Sequence, residues 1–306
     1  MDEDMNMSKG KLFLATIFAV AIAGCSSGSS GPSTGYVSIA LTDAPVDNVS
    51  AVVVEFTGIS LKQAGGDAQR FDFDAPRTID LLDLQDGVMV DLLPTTEVPA
   101  GEYEWARLWV NAEFDTVFDS WAMTPNGQVE LRVPGGDNSG LKLVSGFTVT
   151  AGQSTNLVID WDVRKSLSDP IGQPGYHLRP ALRITDLAEY GTLEGTVADA
   201  LVMADDCTND LAMDTGNAVY VYQDEVQATL GDIGDPVLEP FVTAAVKQGD
   251  DGIYRYRVDY LPVGSYTPAF TCQASSDDPA VDDDIILTPV PSVVISDGQT
   301  TVANFE

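Results

Sequence analysis

Aspartates in the C-terminal half are numerous and closely spaced enough to bind a metal ion. Their carboxylate oxygens are the ligands that calcium prefers in proteins. The candidate ligands are Asp205, Asp206, Asp277, Asp278, Asp282, Asp283 and Asp284. The spacing of an EF-hand loop is absent. Like-charged loops in acidic proteins are usually solvated, so we favour a solvated acidic surface and keep a calcium site as the alternative. No other cofactor is expected.

Asp160 and Asp162 are the second candidate for chemistry. Alternation along a predicted strand would place both carboxylates on one face, and glycosidases use such a pair of carboxylates. A solvated strand face with Trp161 in the core explains the same pattern. We favour this second interpretation.

His177 is the only histidine in the chain, so a Ser-His-Asp triad would have to be built around it. It lies in a predicted strand, where a structural role is the simpler interpretation. The sequence contains no His-Glu-x-x-His motif, no Cys-x-x-Cys pair and no glycine-rich phosphate loop. We therefore expect a protein that is not an enzyme.

The tryptophans could form a surface that binds carbohydrate. All of them fall in the first half of the chain, as Trp105, Trp109, Trp121 and Trp161. Even spacing places Trp105 and Trp109 on the same strand face. Packing in a hydrophobic core explains most of them without a ligand.

The N-terminus predicts export. Lys9 and Lys11 precede a short apolar run over residues 12–21, and Ile22-Ala23-Gly24-Cys25 follows. A basic segment, a short apolar segment and a small-residue exit are the features of a secretory signal peptide. The exit resembles the bacterial lipobox. We therefore expect residues 1–24 to be removed as a lipoprotein signal peptide.

Lipidation of Cys25 follows from that resemblance and would attach the protein to a membrane. Residues 25–35 are rich in Ser and Gly, which predicts a flexible tether. No other apolar stretch approaches the length that spans a bilayer. Because Ser26 rather than an aspartate follows the cysteine, we expect sorting to the outer membrane, on its periplasmic or its outer face.

Cys207 and Cys272 are the only cysteines besides Cys25. A single pair in an exported chain predicts a disulfide, since the compartments outside the cytoplasm are oxidising.

The charge excludes one class of partner. The chain holds 47 acidic and 15 basic residues, which gives a formal net charge of −32. A surface this acidic repels phosphates, so we expect no nucleic-acid partner. The second half is the more acidic, with 21 acidic residues against three basic ones in residues 191–306.

Short apolar runs separated by Gly, Pro, Asn and Asp clusters predict an all-β fold of sandwich type. The predicted strands include residues 36–41, 51–56, 106–110, 129–133, 147–150, 157–161 and 178–184. Helical periodicity is weak. Its only candidate is residues 78–93, which Gly87 interrupts.

Two tandem β-sandwich domains are predicted because pieces of the first half recur in the second half in the same order. Residues 98–103 (VPAGEY) resemble residues 261–266 (LPVGSY), and residues 149–155 resemble residues 295–301. In the first pair, Pro presets the turn and Gly closes it without steric cost. We place the domains at residues 36–187 and 191–306.

The first of these domains resembles a family of bacterial lipoproteins known as domain of unknown function 4382. The resemblance covers about residues 35–187. Its motifs appear in the order Thr42–Pro45, Ile79–Leu82, Pro99–Tyr103 with Arg107-Leu108, Val133–Gly136 with Gly140–Leu143, Ile159–Asp162 with Lys165-Ser166, and Tyr176–Ala181. The family has no established activity, so the resemblance implies a fold without implying a reaction.

The second domain is similar to the carboxypeptidase-regulatory-like, or transthyretin-like, β-sandwich. Residues 191–197, residues 219–222 and the turn at residues 261–266 carry this resemblance. It implies an immunoglobulin- or prealbumin-like module without catalytic activity. The cysteine pair and the acidic loops are not part of that general pattern.

Together these observations predict a non-enzymatic lipoprotein of the cell envelope that acts as a binding or structural module. Its protein or polysaccharide partner is not identified by the sequence. One alternative is a carboxylate-dependent hydrolase of envelope or extracellular polymer. A second alternative is an adhesion module that binds calcium or carbohydrate. A deep acidic cleft beside exposed aromatics would favour the hydrolase, whereas four buried tryptophans would favour the module.

Overall fold

The computed structural model describes residues 33–44, 49–85, 87–134, 140–169, 172, 175–224 and 229–306. Residues 32–306 form one compact unit. The predicted signal peptide, Cys25 and all but the end of the predicted tether lie outside the described residues. Within the described residues, no helix combines the length and the apolar character needed to cross a bilayer.

The first half of this unit is a sandwich of two β-sheets. Its strands are β1 (Thr34–Ala44), β2 (Ala51–Gln63), β3 (Ala68–Asp80), β4 (Val90–Pro99), β5 (Gly101–Asn111), β6 (Trp121–Thr124), β7 (Gly127–Arg132), β8 (Leu141–Leu143), β9 (Phe147–Val149), β10 (Ser154–Asp162), β11 (Leu167–Ser168), β12 (Tyr176–Leu178) and β13 (Leu182–Asp186). One sheet has the order β13-β10-β1-β4, and the other has the order β11-β12-β7-β6-β2-β5-β8. Strand β3 pairs with β2, and β9 pairs with β5.

Alternation of side chains explains how these strands bury one face. In β5, Ala106, Leu108 and Val110 are buried, whereas Trp105 and Trp109 lie half-buried on the opposite face. The buried residues of both sheets join in one hydrophobic core. A short helix, α1 (Val163–Ser166), follows β10 at the edge of this core.

The second half is a smaller sandwich with its own core. Its elements are β14 (Tyr190–Val197), α2 (Asp199–Val202), β15 (Ala218–Gln223), β16 (Val242–Ala245), β17 (Lys247–Gln248), β18 (Tyr254–Pro262), β19 (Gly264–Thr271), β20 (Thr288–Pro289), β21 (Val293–Ile295) and β22 (Thr300–Val302). The sheet orders are β17-β18-β14-β22 and β16-β15-β19-β20, with β21 paired to β19. We call residues 33–186 the first sandwich and residues 190–306 the second sandwich.

The second sandwich also buries the outer face of one of its sheets. Tyr220 and Tyr222 of β15 point away from the main core and are fully buried under two loops. We call residues 229–240 loop A and residues 277–287 loop B. The Tyr222 hydroxyl donates to the carbonyl oxygen of Gly231 in loop A at 2.5 Å.

The repeated turn has the same hydrogen bond in both sandwiches. The Tyr103 hydroxyl donates to the carbonyl oxygen of Pro99 at 2.8 Å, and the Tyr266 hydroxyl donates to that of Pro262 at 3.0 Å. Each bond ties the first residues of one strand to the end of the strand before it. The repeat seen in the sequence therefore marks equivalent crossings from one sheet to the other, between β4 and β5 and between β18 and β19.

The second repeat also forms the same local structure twice. A β-carbon on Gly35 would lie 2.4 Å from the Thr150 carbonyl oxygen, and one on Gly191 would lie 2.6 Å from that of Ser296. Only glycine fits where the backbones approach this closely. In both sandwiches the strand that carries this glycine pairs in parallel with the strand after the turn, as β1 with β10 and β14 with β22.

The weak helix candidate at residues 78–93 and one predicted strand differ in the structure. In the first, β3 ends at Asp80, a 3₁₀ helix covers Leu81–Leu84, and β4 begins at Val90. Leu81 and Leu84 are buried in the core. Residues 178–184 are not one strand, because the chain leaves the sheet between β12 and β13.

Candidate functional site

Asp162 lies at the point where the two sandwiches meet. It is 5% exposed, and its Oδ1 accepts a hydrogen bond from the backbone N–H of Lys165, which caps α1. Its Oδ2 accepts from the backbone N–H and from the hydroxyl of Thr243 in β16, both at 3.0 Å. One buried carboxylate of the first sandwich thus satisfies two donors of the second.

Asp160 and Arg183 form a buried ion pair beside it. Arg183 Nη2 lies 2.5 Å from Asp160 Oδ2 and also donates to the carbonyl oxygen of Asp259 in β18 at 3.0 Å. The guanidinium lies 5.4 Å from the centre of the Phe241 ring. Burial raises the pKa of the Asp160 carboxyl, and the charge of Arg183 opposes that rise.

Further contacts join the sandwiches on either side of this pair. Lys165 Nζ donates to the carbonyl oxygen of Pro240 at 2.7 Å and lies 3.1 Å from the carboxylate of Glu239. The Tyr260 hydroxyl donates to the carbonyl oxygen of Gly87 at 2.7 Å. We call this set of contacts, centred on Asp160 and Asp162, the junction.

Two open clefts of about 480 Å³ each border the junction, and Asp160 and Arg183 line both. The sequence-based interpretation of Asp160 and Asp162 as a solvated strand face was wrong, because both carboxylates are buried. Trp161 is fully buried, as expected. Asp162 binds Thr243 of the second sandwich, whereas Asp160 binds Arg183 of the first sandwich, and Arg183 donates to the carbonyl oxygen of Asp259 in the second. Asp162 therefore joins the sandwiches directly, and Asp160 does so through Arg183.

The cysteine pair is bonded in the structure. The disulfide joins Cys207, in the segment after α2, to Cys272, which directly follows β19. Asp205 and Asp206 lie beside it and are exposed. They therefore form a solvated surface, as the favoured interpretation of the acidic segments expects.

Loops A and B bring a different set of carboxylates together. Oxygen atoms of Asp232, Asp277 and Asp283 lie within 4.8 Å of one another, and so do oxygen atoms of Asp232, Asp235 and Asp282. Asp232 is 2% exposed, and burial raises the pKa of its carboxyl. Burial also raises the pKa of the Asp277 carboxyl to about 6. We call these five residues the loop A–loop B cluster.

The sequence identified this cluster only in part. Asp277, Asp282 and Asp283 were among the candidate ligands, whereas Asp205, Asp206, Asp278 and Asp284 do not belong to the two carboxylate groups. Asp232 and Asp235 of loop A were missed. Their only signal is the segment Gly231-Asp-Ile-Gly-Asp235, in which glycines alternate with acids at a turn.

The family comparison identifies the first sandwich. Residues 34–180 match the family described as "Domain of unknown function (DUF4382)". These residues belong to this family. The match confirms the resemblance inferred for residues 35–187. The DUF4382 domain supplies Asp160, Asp162 and Lys165 to the junction, and Arg183 lies just beyond the matched residues.

Comparisons with other proteins add only distant likenesses. The chain is 14% identical to the Bacillus anthracis TIE protein, with a TM-score of 0.19. The match covers 89% of the present chain and 34% of the TIE protein. It thus spans about a third of the length of the TIE protein. It is 11% identical to GBS52, the minor pilin of Streptococcus agalactiae, with a TM-score of 0.19 and coverages of 88% and 94%. TM-scores of this size do not establish a shared fold. A comparison with curated proteins gave no match.

His177 lies in β12 of the DUF4382 domain. Burial lowers its pKa, and the positive charges of Arg132 and Arg179 lower it further. The histidine of a catalytic triad is held by a carboxylate that stabilises its charged form. The charged groups that act on the pKa of His177 are basic and have the opposite effect.

The outer face of the DUF4382 domain carries three half-buried tryptophans, Trp105, Trp109 and Trp121. Cations lie over two of them: Arg70 is 4.2 Å from the ring centre of Trp109, and Lys142 is 5.0 Å from that of Trp105. Arg107 lies between the two rings, at 5.0 Å and 5.3 Å. A sugar that stacked on these rings would have to compete with those cations.

Proposed function

We propose that this protein is a non-enzymatic lipoprotein of the bacterial cell envelope, in which the two sandwiches act as one rigid binding or structural unit. The state of Asp160 and Asp162 is the observation that carries this proposal. These are the residues whose pattern best fitted hydrolytic chemistry, and both are buried. Asp162 contacts the second sandwich directly, and Asp160 is paired with Arg183, which contacts it. A hydrolase would need carboxylates that are free to reach a polymer.

Each sandwich has a hydrophobic core of its own, which supports the division into domains at residues 36–187 and 191–306. The junction between them is polar and specific, since it matches carboxylates with donors rather than joining two apolar faces. We propose that its directional hydrogen bonds hold the two sandwiches at one angle, in contrast to the relative motion that is usual between domains with a polar interface. A fixed angle suits a protein that presents a protein or polysaccharide partner with a surface at a set distance from the membrane.

The proposed anchor is a lipid on Cys25, followed by the tether that leads into β1. Outer-membrane location rests on Ser26 after the cysteine and on the absence of another apolar stretch of spanning length in the sequence. The acidic surface and the disulfide suit a compartment outside the cytoplasm.

Replacing Cys25 with alanine should block lipidation and leave a precursor that retains residues 1–24, because the thiol accepts the lipid before cleavage. Metabolic labelling with a fatty acid and the mass of the cell-associated protein measure both effects. Ser26→Ala is the matched control and should be labelled and cleaved normally. Normal processing of Cys25→Ala would refute the anchor. Finding the wild-type protein only in the inner membrane would refute the proposed sorting.

A further inference from the structure

Loops A and B must stay in place for the second sandwich to remain folded on its outer side. They cover Tyr220 and Tyr222, which are fully buried, and loop residues such as Ile233 pack with them. The two loops meet through the loop A–loop B cluster, where five carboxylates face one another. Repulsion between these carboxylates acts against the contact that covers the sheet.

Hydrogen bonds hold one carboxylate oxygen each of Asp232, Asp277 and Asp283. Asp277 Oδ2 accepts from the Tyr220 hydroxyl at 2.5 Å and from the backbone N–H of Ile233 at 3.2 Å. Asp232 Oδ2 accepts from the backbone N–H of Asp283, and Asp283 Oδ2 accepts from that of Asp278 at 2.7 Å. The carboxylates of the two loops are therefore held in defined orientations before any ligand arrives.

The second oxygens of Asp232 and Asp277 have no such partner. Asp232 Oδ1 and Asp277 Oδ1 are both buried, and no group among the described residues donates a hydrogen bond to either. Asp232 is 98% buried, as its 2% exposure shows. A buried carboxylate oxygen without a donor is costly, and proteins keep such groups where they bind a metal or take part in function.

The charge at this place is strongly negative. Arg164 of the DUF4382 domain lies close enough to lower the pKa of Asp277, and its Nη1 donates to the carbonyl oxygen of Ala274 at 3.4 Å. Arg179 of the DUF4382 domain also reaches loop B, where its Nη1 donates to the carbonyl oxygen of Pro279 at 3.4 Å. Two guanidinium groups are fewer than the five carboxylates of the cluster.

We propose that Asp232, Asp277 and Asp283 bind one calcium ion, with water oxygens completing its coordination. The ligands are all oxygen atoms on two loops, which is what calcium selects, whereas zinc would require histidine or thiolate ligands. Oxygen atoms within 4.8 Å of one another are close enough to share one calcium ion, since calcium–oxygen distances are about 2.3–2.6 Å. The ion joins loop A to loop B over the outer face of β15 and is independent of the proposed envelope role.

Calcium titration of residues 32–306, the compact unit, tests this site. We expect a dissociation constant of about 0.1–1 mM, as in extracellular calcium modules. At a concentration roughly 100-fold above that constant, the melting temperature should rise by roughly 5–10 °C. Magnesium and sodium at matched ionic strength should produce less than about a quarter of that rise.

Asp232→Asn separates binding from structure. The amide oxygen can still accept the bond from Asp283, while the buried charge is removed, so the variant should melt at or above the calcium-free wild type. It should also lose the calcium response, with binding weakened at least about tenfold. Asp205→Asn removes an exposed carboxylate beside the disulfide and should bind calcium as the wild type does.

Three results would overturn the calcium site. They are the absence of calcium binding at about 10 mM, an equal rise with magnesium, and an unchanged calcium response of Asp232→Asn. None of them bears on lipidation of Cys25 or on the junction, so failure of this site and failure of the proposed function can be told apart.

Discussion

Replacing Asp162 with alanine should lower the free energy of unfolding of residues 32–306 by about 3 kcal/mol. The substitution leaves the backbone N–H and the hydroxyl of Thr243 without their acceptor, and Thr243 is 1% exposed. It also removes the cap on the N–H of Lys165. Buried N–H and O–H groups that lose a charged acceptor are left without a hydrogen bond, and this lowers the free energy of unfolding. Urea unfolding measures the effect.

Two further variants serve as comparisons for Asp162→Ala. Asp162→Asn keeps one carbonyl acceptor and should cost about half as much. Asp67→Ala removes an exposed carboxylate from the turn between β2 and β3 and should change stability by less than about 0.5 kcal/mol. A loss below about 0.5 kcal/mol for Asp162→Ala would mean that the contact with Thr243 contributes nothing to holding the sandwiches together.

Reduction of the disulfide should have the largest effect on the second sandwich. Cys207 and Cys272 are separated by 65 residues. For a loop of that length the chain-entropy model gives about 4 kcal/mol. The melting temperature should fall by roughly 10 °C, and low salt should deepen the fall because the acidic segments beside the bridge repel one another more strongly.

Calorimetry with and without reductant measures this effect. Residues 32–306 contain no other cysteine, so reductant acts on this bond alone. Cys207→Ser should melt like the reduced wild type and should not respond to reductant. Free thiols in unreduced protein, or a melting temperature that reductant does not change, would contradict the prediction.

The sequence was sufficient for features that depend on neighbours along the chain. Alternation in β5 placed Trp105 and Trp109 on the same strand face, because a strand has a period of two residues. It could not show that this face is the outer one, where both rings are half-buried and not in the core. The repeated turns were visible because Pro and Gly have fixed conformational roles, and both turns carry the same tyrosine hydrogen bond. The weak helical periodicity of residues 78–93 corresponds to a 3₁₀ helix at Leu81–Leu84 alone, whose bounds could not be read from local periodicity.

The sequence was insufficient to predict burial and clustering that depend on contacts between residues far apart in the chain. Asp160 and Asp162 have the alternation of a solvated face, but Asp162 binds Thr243 of β16, and Asp160 binds Arg183, which donates to the carbonyl oxygen of Asp259 in β18. Asp232 and Asp277 are 45 positions apart in the numbering, and folding of two loops over β15 joins them. The count of acids in the sequence indicated a charged region, but it could not separate exposed Asp205 from buried Asp232.

The distance between the sandwiches tests the central claim that they form one rigid unit. Spin labels at Gln69→Cys in β3 and Val294→Cys in β21 are exposed, one on each sandwich, and the native cysteines remain bonded and unlabelled. Double electron–electron resonance should give a single narrow distance distribution in the wild-type background. The distribution should broaden when Asp162→Ala is added. A broad or bimodal distribution in the wild-type background would contradict the account, because the junction would then not fix the two sandwiches.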